Sequence, residues 1–81
     1  GYELGHFFDR RRSELDARVL APRDLEVIRR AAQGASVAQI AAELHLSPST
    51  VKRTFEGIYA RMGVSDRAAA VAVALRTGLI R

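Results

Sequence analysis

The stretch Ser47–Met62, SPSTVKRTFEGIYARM, reads as one helix with two chemically opposed faces. Ser47 is a good N-cap because its hydroxyl accepts an orphan backbone N–H, and Pro48 suits the first helical position, where no intrahelical N–H is needed. From there Val51, Phe55, Ile58 and Met62 recur at i, i+4, i+7 and i+11. At about 100° per residue they form one apolar stripe that has to be buried. The opposite side gathers Ser49, Lys52, Arg53, Glu56, Gly57 and Ala60, with no large apolar side chain among them. Most such faces simply meet water. Gly57 argues for more, because a glycine inside a helix costs about 1 kcal/mol relative to alanine. With Ala60 it removes bulk where the backbone of a partner would approach.

The preceding segment, GASVAQIAAELHL at Gly34–Leu46, reads as a shorter helix with Ser36 as N-cap and Gln39 three residues on, the spacing of a capping box. Ile40, Ala41 and Leu44 make its inward face, and Ala41 is small where a second helix has to cross closely. Leu44, His45, Leu46 and Ser47 then form the turn, in which His45 is a residue that tolerates an unusual φ. A short helix, a tight turn and a second helix with a cationic outer face make the helix-turn-helix arrangement, whose second helix enters the DNA major groove. The face that carries Lys52 and Arg53 is therefore the one assigned to DNA.

These residues belong to a longer spaced pattern. It comprises the Pro-Arg-acid opening at Pro22, Gly34 and Ser36, Ile40-Ala41, Leu46-Ser47, Thr50-Val51-Lys52, Ile58, Met62-Gly63-Val64, Arg67, Ala70-Val71 and Gly78-Leu79-Ile80. From about Leu20 to Ile80 the chain closely resembles the DNA-binding domain of LuxR-type bacterial transcription regulators. The resemblance implies an all-α fold, a four-helix helix-turn-helix domain over residues 20–81, with residues 1–19 as a linker or N-terminal helix before it. It implies sequence-specific binding of double-stranded DNA as the C-terminal output domain of a bacterial transcription regulator. The expected partners are then DNA, a second copy of the chain on DNA, a missing N-terminal regulatory domain and, as a further candidate, RNA polymerase. No cofactor and no metal is expected.

Carried onto this chain, the family's base-reading positions fall on Lys52, Arg53 and Glu56, and its phosphate-contacting hydroxyls on Ser49 and Thr50. All five also lie on or beside the face that the apolar stripe leaves free. Arg61 and Arg67, cations near helix ends, are further candidates for the DNA backbone, although Arg67 is equally placed to pair with Glu26 inside the domain. Glu56 has three open roles: accepting from a cytosine N4 amine, pairing along the helix with Lys52 or Arg53, or pointing at solvent. The family dimerises through the region of its last helix, which makes Ala72 and Val73 the candidate dimer contacts. Some positions depart from the family. Ala21 stands where a capping Thr or Ser is usual, at a cost on the order of 1 kcal/mol. Val37 and Ala38 replace polar and basic residues, and Thr54 replaces a common histidine, so phosphate contacts should be fewer.

The rest of the chain frames this reading. Its 81 residues make one domain, near the lower end of what a single core stabilises alone. Thirteen basic against nine acidic residues give a net charge of +4 and a pI near 10.7. That balance supports polyanion binding without establishing it. No cysteine, signal peptide or apolar run of membrane-spanning length is present, which removes disulfide scaffolds, cysteine metal sites and membrane spans and favours a reducing cytoplasm. The start at Gly1 without an initiator Met suggests a processed or excised piece of a longer regulator.

Leu4, Phe8, Leu15 and Val19 fall near one helical face, so a helix over about His6–Arg18 is expected, either a linker that packs Phe7 or Phe8 on the core or a neighbour, or an arm whose Arg10-Arg11-Arg12 run touches phosphate. Ala21–Gln33 reads as the next helix, with Pro22 at N1, Asp24 and Glu26 near its positive end, Leu25, Ile28 and Ala32 inward, and Gly34 as its stop. The last helix is expected from Ser65 to Thr77, with Val71, Ala74 and Leu75 inward or toward a partner and Gly78 as a left-handed cap.

Catalysis fails on inventory. His6 and His45 are the only histidines, and no carboxylate pair stands beside a nucleophile. The chain is therefore expected not to be an enzyme. Two rival readings remain: a promoter-reading domain like that of sigma factors, which shares the Pro-Arg opening, and a helical protein-interaction module without DNA binding.

Overall fold

The computed structural model describes residues 20–80. They form four helices, α1 (Pro22–Ala32), α2 (Val37–Leu44), α3 (Pro48–Met62) and α4 (Arg67–Arg76), and no strand occurs among the described residues. The expected N-terminal helix and the Arg10-Arg11-Arg12 run lie outside that range.

α3 is the hub. It packs against each of the other three helices, as does α1, whereas α2 and α4 have no contact with one another. The stripe expected from the sequence explains this. Val51 and Ile58 are fully buried and Phe55 nearly so, while Met62 is half-buried at the end of the stripe. Around them the core is completed by Leu20, Val27, Ile28, Ala31, Ile40, Ala41, Ala70, Ala74 and Ile80. Burying a side chain of this size contributes about 1.5 to 3 kcal/mol, so this one helix anchors a large share of the core.

The helix starts are fixed by side chains. Ser36 Oγ accepts the Gln39 N–H at 3.1 Å while Gln39 Oε1 accepts the Ser36 N–H at 2.7 Å, the reciprocal box its spacing predicts. Ser47 Oγ accepts the Thr50 N–H at 3.2 Å. Ala21 offers no capping side chain, but its own N–H donates to Asp24 Oδ2 at 3.0 Å. All four helices end in the same way, with the six-residue and four-residue backbone bonds of a Schellman turn. At the end of α2 these are Leu46 N–H to Ala41 O at 2.8 Å and His45 N–H to Ala42 O at 3.4 Å. The residue that turns the chain there is His45, at φ 57°, the single non-glycine residue with positive φ among the described residues.

Two expected placements need correction. The inward face of α1 was expected at Leu25, Ile28 and Ala32; the buried residues are Asp24, Val27, Ile28 and Ala31, with Leu25 and Ala32 half-buried at its edges. The buried set keeps the i, i+3, i+4, i+7 spacing of one helical face, turned by about one residue from the expected face. The last helix starts at Arg67 rather than Ser65, because Asp66 is the cap and its Oδ1 accepts the Ala69 N–H at 2.8 Å. Within α4, Ala74 and Ala70 are buried, Val71 is half-buried and Leu75 is 49% exposed, so of the two alternatives held for Val71, Ala74 and Leu75 the inward one applies fully to Ala74 alone.

Candidate nucleic-acid interface

The flank of α3 opposite its buried stripe is open. Ser49, Lys52, Arg53, Glu56 and Ala60 are exposed and Gly57 is half-buried. Lys52, Arg53 and Glu56 take part in none of the ion pairs among the described residues, which join Arg29 and Arg30 to Glu26, Arg30 to Glu43, and Arg61 to Asp24. Glu56 therefore forms no intrahelical pair in the free chain. Two cations and one carboxylate stand on a rigid helix with their charges uncommitted.

At the head of the same helix the hydroxyls form a small cluster. Ser47 Oγ lies 2.9 Å from Thr50 Oγ1 and 3.3 Å from Ser49 Oγ. The first turn of a helix presents backbone N–H groups without intrahelical acceptors and carries the positive end of the dipole. Hydroxyl donors thus coincide with the end of α3 that favours an anion. Thr54, one turn on, is half-buried and donates from Oγ1 to Thr50 O at 2.9 Å, which ties it to its own helix.

Gly57 has a local explanation beyond clearance for a partner. A Cβ at this position would lie 3.6 Å from Arg61 Nη1, so the Arg61 side chain crosses above it on the way to Asp24. That distance is ordinary contact.

Arg61 and Arg67, the two remaining cations considered for the DNA backbone, both have partners in the domain. Arg61 Nη1 donates to Asp24 Oδ2 at 3.0 Å. Arg67 Nη2 donates to the carbonyls of Ala31, at 3.3 Å, and Ala35, and its guanidinium carbon lies 5.5 Å from the centre of the Phe55 ring. The alternative partner considered for Arg67, Glu26, is held instead by Arg29 and Arg30, and the hydrogen bond from Arg30 keeps the Glu26 carboxyl below the usual range. Tyr59, whose ring centre lies 5.8 Å from that of Phe55, has its phenol pushed up by burial, with the charge of Arg67 opposing the rise.

Sequence reasoning missed Asp24 as the anchor of Arg61 and the carbonyl partners of Arg67. A signal existed for the first, an acid at the third position of a helix whose cap lacks a side-chain acceptor. None exists for the second, since every residue has a carbonyl. The candidate dimer contacts lie on α4, Ala72 exposed and Val73 half-buried.

Comparison with known proteins identifies the family of this fold. Residues 18–74 match the family described as Bacterial regulatory proteins, luxR family. Over 71 residues the chain is 51% identical to a probable transcriptional regulatory protein, NarL, of Mycobacterium tuberculosis, covering 88% of this chain and 33% of that protein. It is 38% identical over 52 residues to a probable HTH-type transcriptional regulator, GfsR, of Streptomyces halstedii, covering 64% of this chain and 21% of that one. Among solved structures, the response regulator ChrA of a heme-sensing two-component system superposes with a TM-score of 0.74 at 39% identity, covering 76% of this chain and 31% of ChrA. The chain thus spans about a third of NarL and of ChrA.

Proposed function

This chain belongs to the luxR family of bacterial regulatory proteins, and from that premise we propose that it binds double-stranded DNA sequence-specifically by laying the open flank of α3 in the major groove. One observation carries the reading: Lys52, Arg53 and Glu56 are exposed and outside every ion pair among the described residues, on a helix whose opposite face is held by all three of its neighbours. Base reading needs side chains held in a fixed register, and a helix clamped in this way supplies it.

Lys52 and Arg53 have the chemistry to donate to guanine O6 and N7, and Glu56 to accept from a cytosine N4 amine. Ser49 and Thr50, at the positive end of α3, serve phosphate oxygens and fix the register along the duplex. Arg61, in the last turn of the same helix, presents its guanidinium beside this surface while it remains bonded to Asp24. The domain acts by binding, without catalysis. It is the DNA-binding output part of a longer regulator, located in the cytoplasm with the chromosome, and it pairs with a second copy on DNA through Ala72 and Val73. RNA polymerase is the further partner such an output serves.

A fluorescent random duplex titrated with the chain across salt concentrations tests the reading. Displacement of condensed counterions makes log K fall linearly with log salt, with a slope of about −0.9 for each phosphate neutralised. Absence of binding even at low salt contradicts the proposal and favours a helical protein-interaction module.

A further inference from the structure

Arg67 occupies an unfavourable place for a cation, the first residue of α4, where the helix dipole is positive. Its side chain turns away from that end. The guanidinium reaches the carbonyl of Ala31, at the negative end of α1, and that of Ala35, the residue before the Ser36 cap of α2. It also lies over the ring of Phe55, in the middle of the buried stripe of α3. One planar group therefore joins the end of α1, the entry to α2 and the middle of α3. Such a junction needs donors in a fixed fork together with a flat cationic face, which arginine has and lysine lacks.

We infer that Arg67 is a positioning residue for the reading helix and does not contact DNA phosphate; the inference rests on the DNA-binding reading above. Phe55 is the core residue between Arg53 and Glu56, so the seat of its ring sets the roll of α3 about its axis. That roll sets the direction in which Lys52, Arg53 and Glu56 leave the helix. The same guanidinium holds the loop that leads into α2, so the two helices of the helix-turn-helix are referred to one group.

Three variants of the 81-residue chain test this. Arg67→Lys keeps the charge and loses the fork, Arg67→Gln loses the charge and keeps a donor, and Phe55→Leu removes the ring and keeps every cation. Each is titrated, at a temperature where circular dichroism shows it folded, against a duplex enriched by the parent from a randomised pool and against a scrambled duplex, over a range of salt. All three are expected to lower the ratio of enriched to scrambled affinity by about tenfold, the discrimination of one base pair, with the salt slope on scrambled duplex unchanged. A slope shallower by about 0.9 in Arg67→Gln with an intact ratio means that Arg67 touches phosphate and overturns the inference. A ratio unchanged in all variants, beside lowered melting temperatures, reduces Arg67 to a fold-stabilising clamp and overturns it too. A parent chain that binds neither duplex removes the DNA-binding reading itself, a result visible before any variant is made.

Discussion

Arg61, in the last turn of α3, donates to the Asp24 carboxylate in the first turn of α1 at 3.0 Å. The same oxygen of Asp24 accepts the N–H of Ala21, also at 3.0 Å, so one nearly buried carboxylate closes the start of α1 and fastens it to the end of α3. Arg61 is 40% exposed and Asp24 only 11%, measured on their side chains. The two substitutions are therefore unequal. Asp24→Ala leaves a backbone donor and a guanidinium without their acceptor and is expected to cost about 1 to 2 kcal/mol, or roughly 5 to 10 °C in melting temperature. Arg61→Ala should cost less, because Asp24 keeps its backbone partner and water reaches the gap. Thermal melts of both variants and their double check this; equal losses that simply add would mean the ion pair carries no coupling.

Gly57→Ala is expected to stabilise the domain. The added methyl meets Arg61 Nη1 at 3.6 Å, an ordinary contact, and alanine is favoured over glycine inside a helix by about 1 kcal/mol. Denaturant unfolding should show a higher midpoint at unchanged slope. A lower midpoint would show that Arg61 is displaced from Asp24.

Much of the fold was legible because its determinants are local. Ser36 with Gln39, and Ser47 with Pro48, announce their helix starts within four residues, and the Val51–Phe55–Ile58 spacing announces the face that α3 buries. What escaped depends on tertiary context. Val27 and Ala31 replace Leu25 and Ala32 at the centre of the buried face of α1: the segment carries Leu25, Val27, Ile28, Ala31 and Ala32, apolar residues enough for two overlapping stripes, and only the packing of the other helices chooses between them. Ser65 and Asp66 are both good caps, and only the geometry chooses the acid. In the candidate site, the open placement of Lys52, Arg53 and Glu56 follows from the stripe opposite them. The internal engagement of Arg67 does not, because its partners are backbone carbonyls far away in sequence.

The exposed side of α4 joins Ala72 to Leu75, the one large apolar side chain exposed among the described residues. Replacing Ala72 by Glu is expected to leave binding to a single half-site unchanged and to reduce cooperative occupancy of a duplex carrying two. Unchanged cooperativity in a two-site titration would remove α4 as the contact between copies.

Glu56 has no cation committed to it among the described residues, so in the proposed complex its carboxylate would repel phosphate unless a base donor met it. Glu56→Ala is expected to raise affinity for scrambled duplex while lowering the specific-to-scrambled ratio, with about 1 to 3 kcal/mol lost at one base pair if it reads cytosine. Titration of parent and variant at one fixed salt concentration decides between these roles. An unchanged ratio leaves Lys52 and Arg53 as the base-reading pair.

The most direct measurement compares the parent with a Lys52→Ala, Arg53→Ala double variant, following duplex affinity by anisotropy and stability by thermal melting on the same samples. Both side chains are exposed and outside the ion pairs of the domain, so the melting temperature should stay within a degree or two of the parent. Affinity for the enriched duplex should fall by about tenfold or more. A variant that melts like the parent and binds the enriched duplex as tightly would show that the open flank of α3 is not the surface that reads DNA.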